Sequence, residues 1–528
     1  MRSLHYPGRS PVYARKAMCA TSHPLASQTA LSVLKDGGNA VDAAIAATAV
    51  LCVVEQAMTG IGGDCFALVA KPGEKPFALN ASGRAPAALT TELLLGQGIS
   101  RIETQSPHAV TVPGAIDGWA TLLADHGTRT LKELLQPAIV YASEGFAIAP
   151  RVATDWAGAT EKLSANANAA KHFLVGGRAP AVGEVMRFPN LAQSLSAVAE
   201  GGRDAFYEGD IAADIVKELN ALGGVHTLED FAVQRSTYVD PISVNYGGLD
   251  ILELPPNNHG VVVLIILKMM ARLGRLSDDP DSVERHHVML EIARLAYAMR
   301  DTFVADPEMA DVPVEHMLDD GVIGELVGRI DRDNARPDLG PIPQPKGSDT
   351  VYLTVVDETG MAVSFINSLF ADFGSGIATD KSGIMLQNRG QGFVVEPGHR
   401  NCVAPRKRPL HTLIPALAMR SGALEMSFGV MGGAYQPAGH AHVLANMLDY
   451  GMDPQEALDA QRVFFDGDKV LVEQTASRDL RTGLAAKGHD VAERRIPWGG
   501  GQIIRVDPDS GTLIGASDGR KDGCALGY

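Results

Sequence analysis

Residues 331–349 read DRDNARPDLGPIPQPKGSD and residues 350–356 read TVYLTVV, and the reading of the whole chain turns on this change of texture. The first stretch holds four prolines and no apolar periodicity. That is the composition of an exposed linker, where chains are readily cut. The second stretch is β-branched and apolar, ends at the turn Asp357-Glu-Thr-Gly360, and is followed by a partner strand, Met361 to Phe365. A loose segment thus delivers Thr350 to the first position of a buried strand. A threonine hydroxyl is a weak nucleophile unless a base sits beside it. A break between Asp349 and Thr350 supplies that base, because the freed α-amine has an ordinary pKa near ~8 and lies on the same residue. On position alone, an ordinary strand threonine behind a linker is the simpler reading. The rest of the chain reverses it.

Upstream, Leu25 to Leu34 is periodic in apolar residues and stops at Lys35-Asp36-Gly37-Gly38, which predicts a helix with a glycine end. Asn39 then caps a second helix, Ala40 to Val53, apolar nearly all round and therefore buried. Cys65 to Ala70 reads as a strand behind the glycine turn Gly60-Ile-Gly-Gly63. From about Leu131 to Ile330 the pattern is mostly helical, with helices expected at Asp210–Leu222 and Val283–Val304.

The chain has 528 residues, enough to bury a large core without metal or disulfide staples. Its 46 basic and 62 acidic residues leave a net charge of −16, and no run of Lys and Arg forms a local basic patch. Nucleic acid and anionic membranes are therefore disfavoured as partners. The apolar run Val261 to Leu267 stops at Lys268 and is too short to span a bilayer. The N-terminal residues hold charges but no apolar h-region, which argues against a secretory signal. Five scattered cysteines without a C-x-x-C pair read as reduced thiols of a cytoplasmic protein.

Three other motifs invite chemistry. Gly515-Ala-Ser-Asp-Gly519 matches the G-x-S-x-G pattern of serine hydrolases, but no histidine follows Ser517 and no helix completes an elbow, so a terminal turn is expected. His286-His287 and His440-Ala-His442 have spacings that send their rings to different faces of a helix, and neither gains a carboxylate motif. No metal or cofactor is expected. Gly374-Ser-Gly376 lacks the remainder of a phosphate loop and reads as a hairpin turn.

Along essentially its whole length the sequence resembles the γ-glutamyltransferase family of N-terminal nucleophile hydrolases. The resemblance begins with Leu34-Lys-Asp-Gly-Gly-Asn-Ala-Val-Asp-Ala-Ala44 and Gly60-Ile-Gly-Gly-Asp64. It runs through Val112-Pro-Gly114, Phe206-Tyr-Glu-Gly209, Leu228-Glu-Asp-Phe231 and Pro255-Pro-Asn-Asn-His-Gly260. Most specific is the series Asp349-Thr350, Val355-Val-Asp357, Phe373-Gly-Ser-Gly376, Gly383-Ile384, Arg408-Pro409, Gly432-Gly433 and Gly515-Ala-Ser-Asp518. It implies an α/β fold of four layers, αββα, with two central antiparallel sheets. It also implies a precursor that cuts itself before Thr350, giving a large subunit of residues 1–349 and a small subunit of residues 350–528 that stay together as a heterodimer. A higher homo-oligomer is left open. In this resemblance Thr350 is the nucleophile, Ser368 orients it, and the Gly432-Gly433 turn is the oxyanion hole.

The departures bear on substrate. Where the family has an asparagine this chain has Phe370, and the family's glutamine and aspartate positions fall on Arg389 and Gly392. Paired serines become His411-Thr412, and the carboxylate-binding arginine has no match in register, with Arg84 two positions away. The set that would hold an α-ammonium group is missing. Arg84, Arg389, His411 and Thr412 are the expected lining of an acyl pocket, and an arginine pair there suits a small anionic acyl group. Arg389 reads equally well as a solvated loop residue. The pattern is similar to the oxamate amidohydrolase subgroup, which implies hydrolysis of oxamate to oxalate and ammonia. Glutathione hydrolysis or γ-glutamyl transfer, a cephalosporin-type acylase, and a non-catalytic binding protein on the same fold are the alternatives.

Overall fold

The computed structural model describes residues 8–336, 338 and 350–528. Asp349, and with it the bond expected to be cut, lies outside the described residues, as do residues 1–7. Two seven-stranded antiparallel sheets dominate the chain. Their strands are β1 (Val12–Ala14), β2 (Met18–Thr21), β3 (Asp64–Ala70), β4 (Phe77–Ala81), β5 (Thr237–Val239), β6 (Ile242–Tyr246) and β7 (Leu249–Glu253). They continue as β8 (Val351–Val356), β9 (Ala362–Ser368), β10 (Ala416–Arg420), β11 (Ala423–Val430), β12 (Gly501–Val506), β13 (Leu513–Ser517) and β14 (Cys524–Gly527). One sheet runs β1-β13-β12-β11-β10-β7-β6 and the other β14-β2-β8-β9-β3-β4-β5.

Four layers result from where the apolar faces go. Helices α1 (Pro24–Lys35), α2 (Ala40–Val54), α3 (Ala115–His126), α4 (Leu131–Glu144) and α5 (Pro189–Tyr207) cover the β8-containing sheet. Cys65, Ala67, Val69, Val351, Leu353 and Val355 face them. Helices α6 (Gly260–Leu273), α7 (Val283–Phe303) and α8 (Gln436–Leu448) cover the other sheet, against Ile251, Ala416, Ala418, Phe428 and Ile503. Between the sheets lie Phe66, Leu68, Tyr352, Ile366, Leu417 and Met431. Strands β8 and β9 are buried on both faces, which is why they read as continuous apolar runs.

The capped helices stand where the sequence puts them. Asn39 forms a full capping box with Asp42 at the start of α2, every residue of which is buried. The apolar run Val261–Leu267 is the buried interior of α6, and among the described residues no helix is long and apolar enough to cross a membrane. Two expectations need correction. The stretch expected to be mostly helical also holds β5, β6 and β7, and the alternating burial along Ile242–Tyr246 is that of an edge strand with one wet face. Gly515-Ala-Ser517 is part of β13 rather than a terminal turn, and Ser517 donates inward to the Thr21 carbonyl.

The register between layers sets the height of Thr350. Thr354 Oγ1 donates to Ser427 Oγ across the sheets at 2.6 Å, and the Tyr352 ring lies against Gly429, where a Cβ would sit 2.5 Å from the ring. Another step of two along β8 and β11 brings Thr350 to the level of Met431, directly before Gly432. The side chains of Thr350, Tyr352 and Thr354 share one face of the strand. Gly429→Ala should therefore overpack this layer and lower stability by ~1–3 kcal/mol, read as a lower urea midpoint in equilibrium unfolding.

Candidate active site

At one end of the β8-containing sheet three neighbouring strands present polar side chains toward the interior. Val351 pairs with Asn367 and Ser368 pairs with Asp64, so Thr350, Ser368 and Asp64 stand side by side across β8, β9 and β3. Thr350 is 1% exposed, and its hydroxyl donates to Ser368 Oγ at 3.1 Å. Ser368 Oγ also accepts from the Phe370 N–H at 2.8 Å, which ties the hydroxyl to a tight turn. Phe370 holds a φ of +81°, a left-handed conformation that a bulky residue adopts only when its surroundings require it.

The Phe370 ring is the floor for Arg389, whose guanidinium carbon lies 4.0 Å from the ring centroid. Arg389 is fully buried, not a solvated loop residue. Its Nη1 donates to Thr412 Oγ1 at 2.8 Å, whereas Nε and Nη2 have no acceptor among the described residues. Burial pulls its pKa down to about 9, against the pull of Asp64, so the group stays cationic at neutral pH. Nε and Nη2 form one edge of the guanidinium fork, the edge that grips a carboxylate through two parallel bonds.

Asp64 is the residue that the sequence reading passed over. Its buried carboxylate accepts from the Gly83 and Gly114 N–H groups and from Gln387 Nε2, each at 3.0 Å, and from His411 Nε2 at 3.1 Å. Burial pushes its pKa up to about 6, and Arg389 and the hydrogen bonds act in the opposite direction. His411 accepts from the Leu413 N–H through Nδ1, which leaves the Nε2 proton for Asp64. Burial and the nearby Arg389 hold this imidazole neutral. The only cue to Asp64 in the sequence is its place at the end of Gly60-Ile-Gly-Gly-Asp64.

The His411-Thr412 segment is itself fixed by the Pro255–Gly260 loop. His259 Nε2 donates to the Thr412 carbonyl at 2.9 Å, and Asn257 Nδ2 donates to the Pro409 carbonyl at 2.7 Å. Arg84 belongs elsewhere. It follows Gly83, but its guanidinium turns to the Glu308 carboxylate and the Arg406 carbonyl, in a cluster shared with Arg408. The expected arginine pair is therefore reduced to Arg389.

Gly432 and Gly433 have φ of +122° and +56° and open the short 3-10 turn that runs into α8. Neither amide donates within the described residues, so both N–H groups are open at the start of a helical segment. The turn is held from behind by Asp518, which pairs with Arg462 and accepts from the Gly501 N–H. The Met431 N–H bonds the Gly500 carbonyl at 3.1 Å. This accounts for the tail motif at residues 515–518. His440 bonds Glu253 and the Val430 N–H, and the His442 ring lies 6.2 Å from that of His286, so this pair serves the core.

This end of the molecule holds a buried hydroxyl bonded to a second one, two open amides and a cationic fork. These are the parts that nucleophilic attack on a carbonyl beside an anionic group calls for. Residues 26–528 match the family model described as gamma-glutamyltranspeptidase. A glutathione hydrolase-like YwrD proenzyme of Bacillus subtilis is 35% identical, with 98% of this chain and 99% of the relative covered. An oxamate amidohydrolase proenzyme of Klebsiella pneumoniae is also 35% identical, covering 97% of this chain and 98% of the relative. The crystal structure of a cephalosporin acylase from Bacillus halodurans superposes with a TM-score of 0.92 at 38% identity, covering 100% of this chain and 99% of that one.

The Asp64 pKa of about 6 has a consequence for anion binding. Below it Asp64 is protonated and Arg389 is uncompensated; above it the carboxylate neutralises Arg389. Affinity for acetate should fall roughly three- to tenfold as pH rises from about 5 to about 7, with proton uptake on binding, measured by calorimetry in buffers of different ionisation heat. Asp64→Asn should remove the step.

Proposed function

The chain belongs to the gamma-glutamyltranspeptidase family, and on that premise we propose that it is an autoprocessing amidohydrolase whose nucleophile is Thr350 and whose first substrate is oxamate. It is a hydrolase of amide carbon–nitrogen bonds, of the N-terminal nucleophile class. The proposed precursor is cut between Asp349 and Thr350 into residues 1–349 and 350–528. Strands β8 and β9 lie between β2 and β3 in one sheet, so the two pieces remain interleaved after the cut. We place the enzyme in the cytoplasm, consistent with five unpaired cysteines.

The observation that carries the substrate reading is the open Nε/Nη2 edge of the buried Arg389. In this scheme the oxamate carboxylate takes that edge. The Thr350 hydroxyl attacks the adjacent amide carbon and passes its proton to the α-amine, while Ser368 holds the oxygen in place. The oxyanion is met by the Gly432 and Gly433 amides. Collapse breaks the C–N bond, the amine's proton leaves with ammonia, and an oxalyl ester remains on Thr350. Water, deprotonated by the same amine, attacks the ester and releases oxalate. A γ-glutamyl substrate needs an acidic partner for its ammonium group. Asp64 already accepts four donors, and Phe370 and Gly392 offer none. The likeness to a cephalosporin acylase favours a larger acyl group as the second reading.

Intact mass separates the outcomes. Wild type should yield two fragments meeting at Asp349/Thr350, and Thr350→Ala one uncut chain without activity. Oxamate should be hydrolysed faster than a γ-glutamyl anilide or a cephalosporin; preference for either of those would replace the substrate reading. A wild-type chain that stays whole and hydrolyses none of the three would leave a binding protein. Arg389→Gln should raise the KM for oxamate roughly 10- to 100-fold, because a buried charge-assisted bond is lost.

A further inference from the structure

We propose that His287, Glu291 and His489 form a binding site for a divalent transition-metal ion of the zinc type, separate from the Thr350 site. The three side chains are buried, and one ligand atom from each lies within 4.8 Å of the others. His287 and Glu291 are four residues apart on α7, so they share a face one turn apart. His489 arrives from the segment after the helix Arg478–Ala486, which packs on α7 where Gly483 meets Val283. The neighbouring His286 turns away toward His442, so the two adjacent histidines do divide between faces.

Two of the three donors, His287 and Glu291, are held by outer partners, whereas His489 Nδ1 is buried with none among the described residues. His287 Nε2 lies 2.8 Å from the Asp331 carbonyl, and donation to it leaves the Nδ1 lone pair directed at His489 Nε2, also 2.8 Å away. A ring N–H held by a carbonyl is the usual outer support of a metal-bound imidazole. Glu291 Oε1 accepts from the Arg336 N–H at 3.3 Å, whereas Oε2 is buried with no hydrogen-bond partner among the described residues, although the charges of Arg294 and Arg336 act on the carboxylate. That orphan oxygen is the observation that a hydrogen-bonded histidine pair does not explain, since a buried acceptor without a donor is costly. Two imidazoles and one carboxylate, with a water in the fourth position, suit zinc or cobalt. At bond lengths of about 2.0–2.1 Å the two nitrogens would move apart by about 0.5 Å. The ligands come from both sides of the linker, so a bound ion ties α7 and the 331–336 segment to the C-terminal part of the chain. This role does not depend on amide hydrolysis, and either reading can fail without the other.

The full-length chain, freed of metal with a chelator, is titrated with Co2+ alone. One equivalent per chain should bind with the strong visible bands of a four-coordinate ion, displaced by Zn2+. Loss of an outer-shell partner alone weakens metal binding 10- to 100-fold, so Glu291→Gln and His489→Gln should each weaken it by at least about tenfold. His286→Gln should bind as wild type. X-ray absorption of the Zn2+-loaded wild type should show two imidazoles and an oxygen-donor remainder, a reading that needs no variant to fold. The proposal is overturned by absence of stoichiometric binding, by a first shell without two imidazoles, or by undiminished binding in both ligand variants.

Discussion

A carboxylate sealed inside a protein must be answered by donors that the protein itself supplies, and the site end of this molecule is built around that requirement. Asp64 begins β3 and gathers donors from Gly83, Gly114, Gln387 and His411, four segments that are distant in sequence. Gly83 and Gly114 are glycines because a Cβ would fall 1.8 Å from the Val112 carbonyl oxygen in one case and 2.0 Å from that of Ala81 in the other. The Gln387 bond fixes the segment that carries Arg389, and the His411 bond fixes the one that carries Thr412. One buried charge therefore sets where the cationic fork stands relative to Ser368, its pairing partner in β9.

Local chemistry made much of the fold readable before any coordinates. Asn39 announces the start of α2, and Gly37-Gly38 announce the end of α1, because capping involves residues only a few positions apart. The buried strand Val351–Val356 was readable because its composition differs from that of the proline-rich stretch before it. What stayed hidden depends on distance along the chain. His411 reaches Asp64 across 347 positions and His489 reaches His287 across 202, and no spacing rule connects such pairs. Arg84 misled for a related reason: its register near the site was visible, but the pull of Glu308 on its side chain was not. The edge strand Ile242–Tyr246 was lost inside a helical stretch because its alternation is short and half polar.

The height of Thr350 rests on the packing of its strand. Thr350 has no freedom of height once Tyr352 is wedged against Gly429 and Thr354 is bonded to Ser427. Its level matches the Gly432-Gly433 turn because β11 ends there, and that turn is held from behind by Asp518 and Arg462. The level of Thr350 against that turn is kept only while the spacing between sheets is constant. Close packing of the interlayer residues keeps it so.

On the proposed function, charge decides which acyl group the site admits. Asp64 and Arg389 offset one another, and His411 and His259 are held neutral by burial. Asp64, the carboxylate of this balance among the described residues, already accepts four donors. Arg389 does have Nε and Nη2 without acceptors among the described residues. A single carboxylate satisfies them with no further group required. A substrate that brings both a carboxylate and an ammonium would leave its ammonium in a sealed, low-dielectric space without a partner. On the proposed function, sheet packing fixes the end that carries Thr350, while Phe370, Arg389 and Gly392 set the charge that the acyl group must carry.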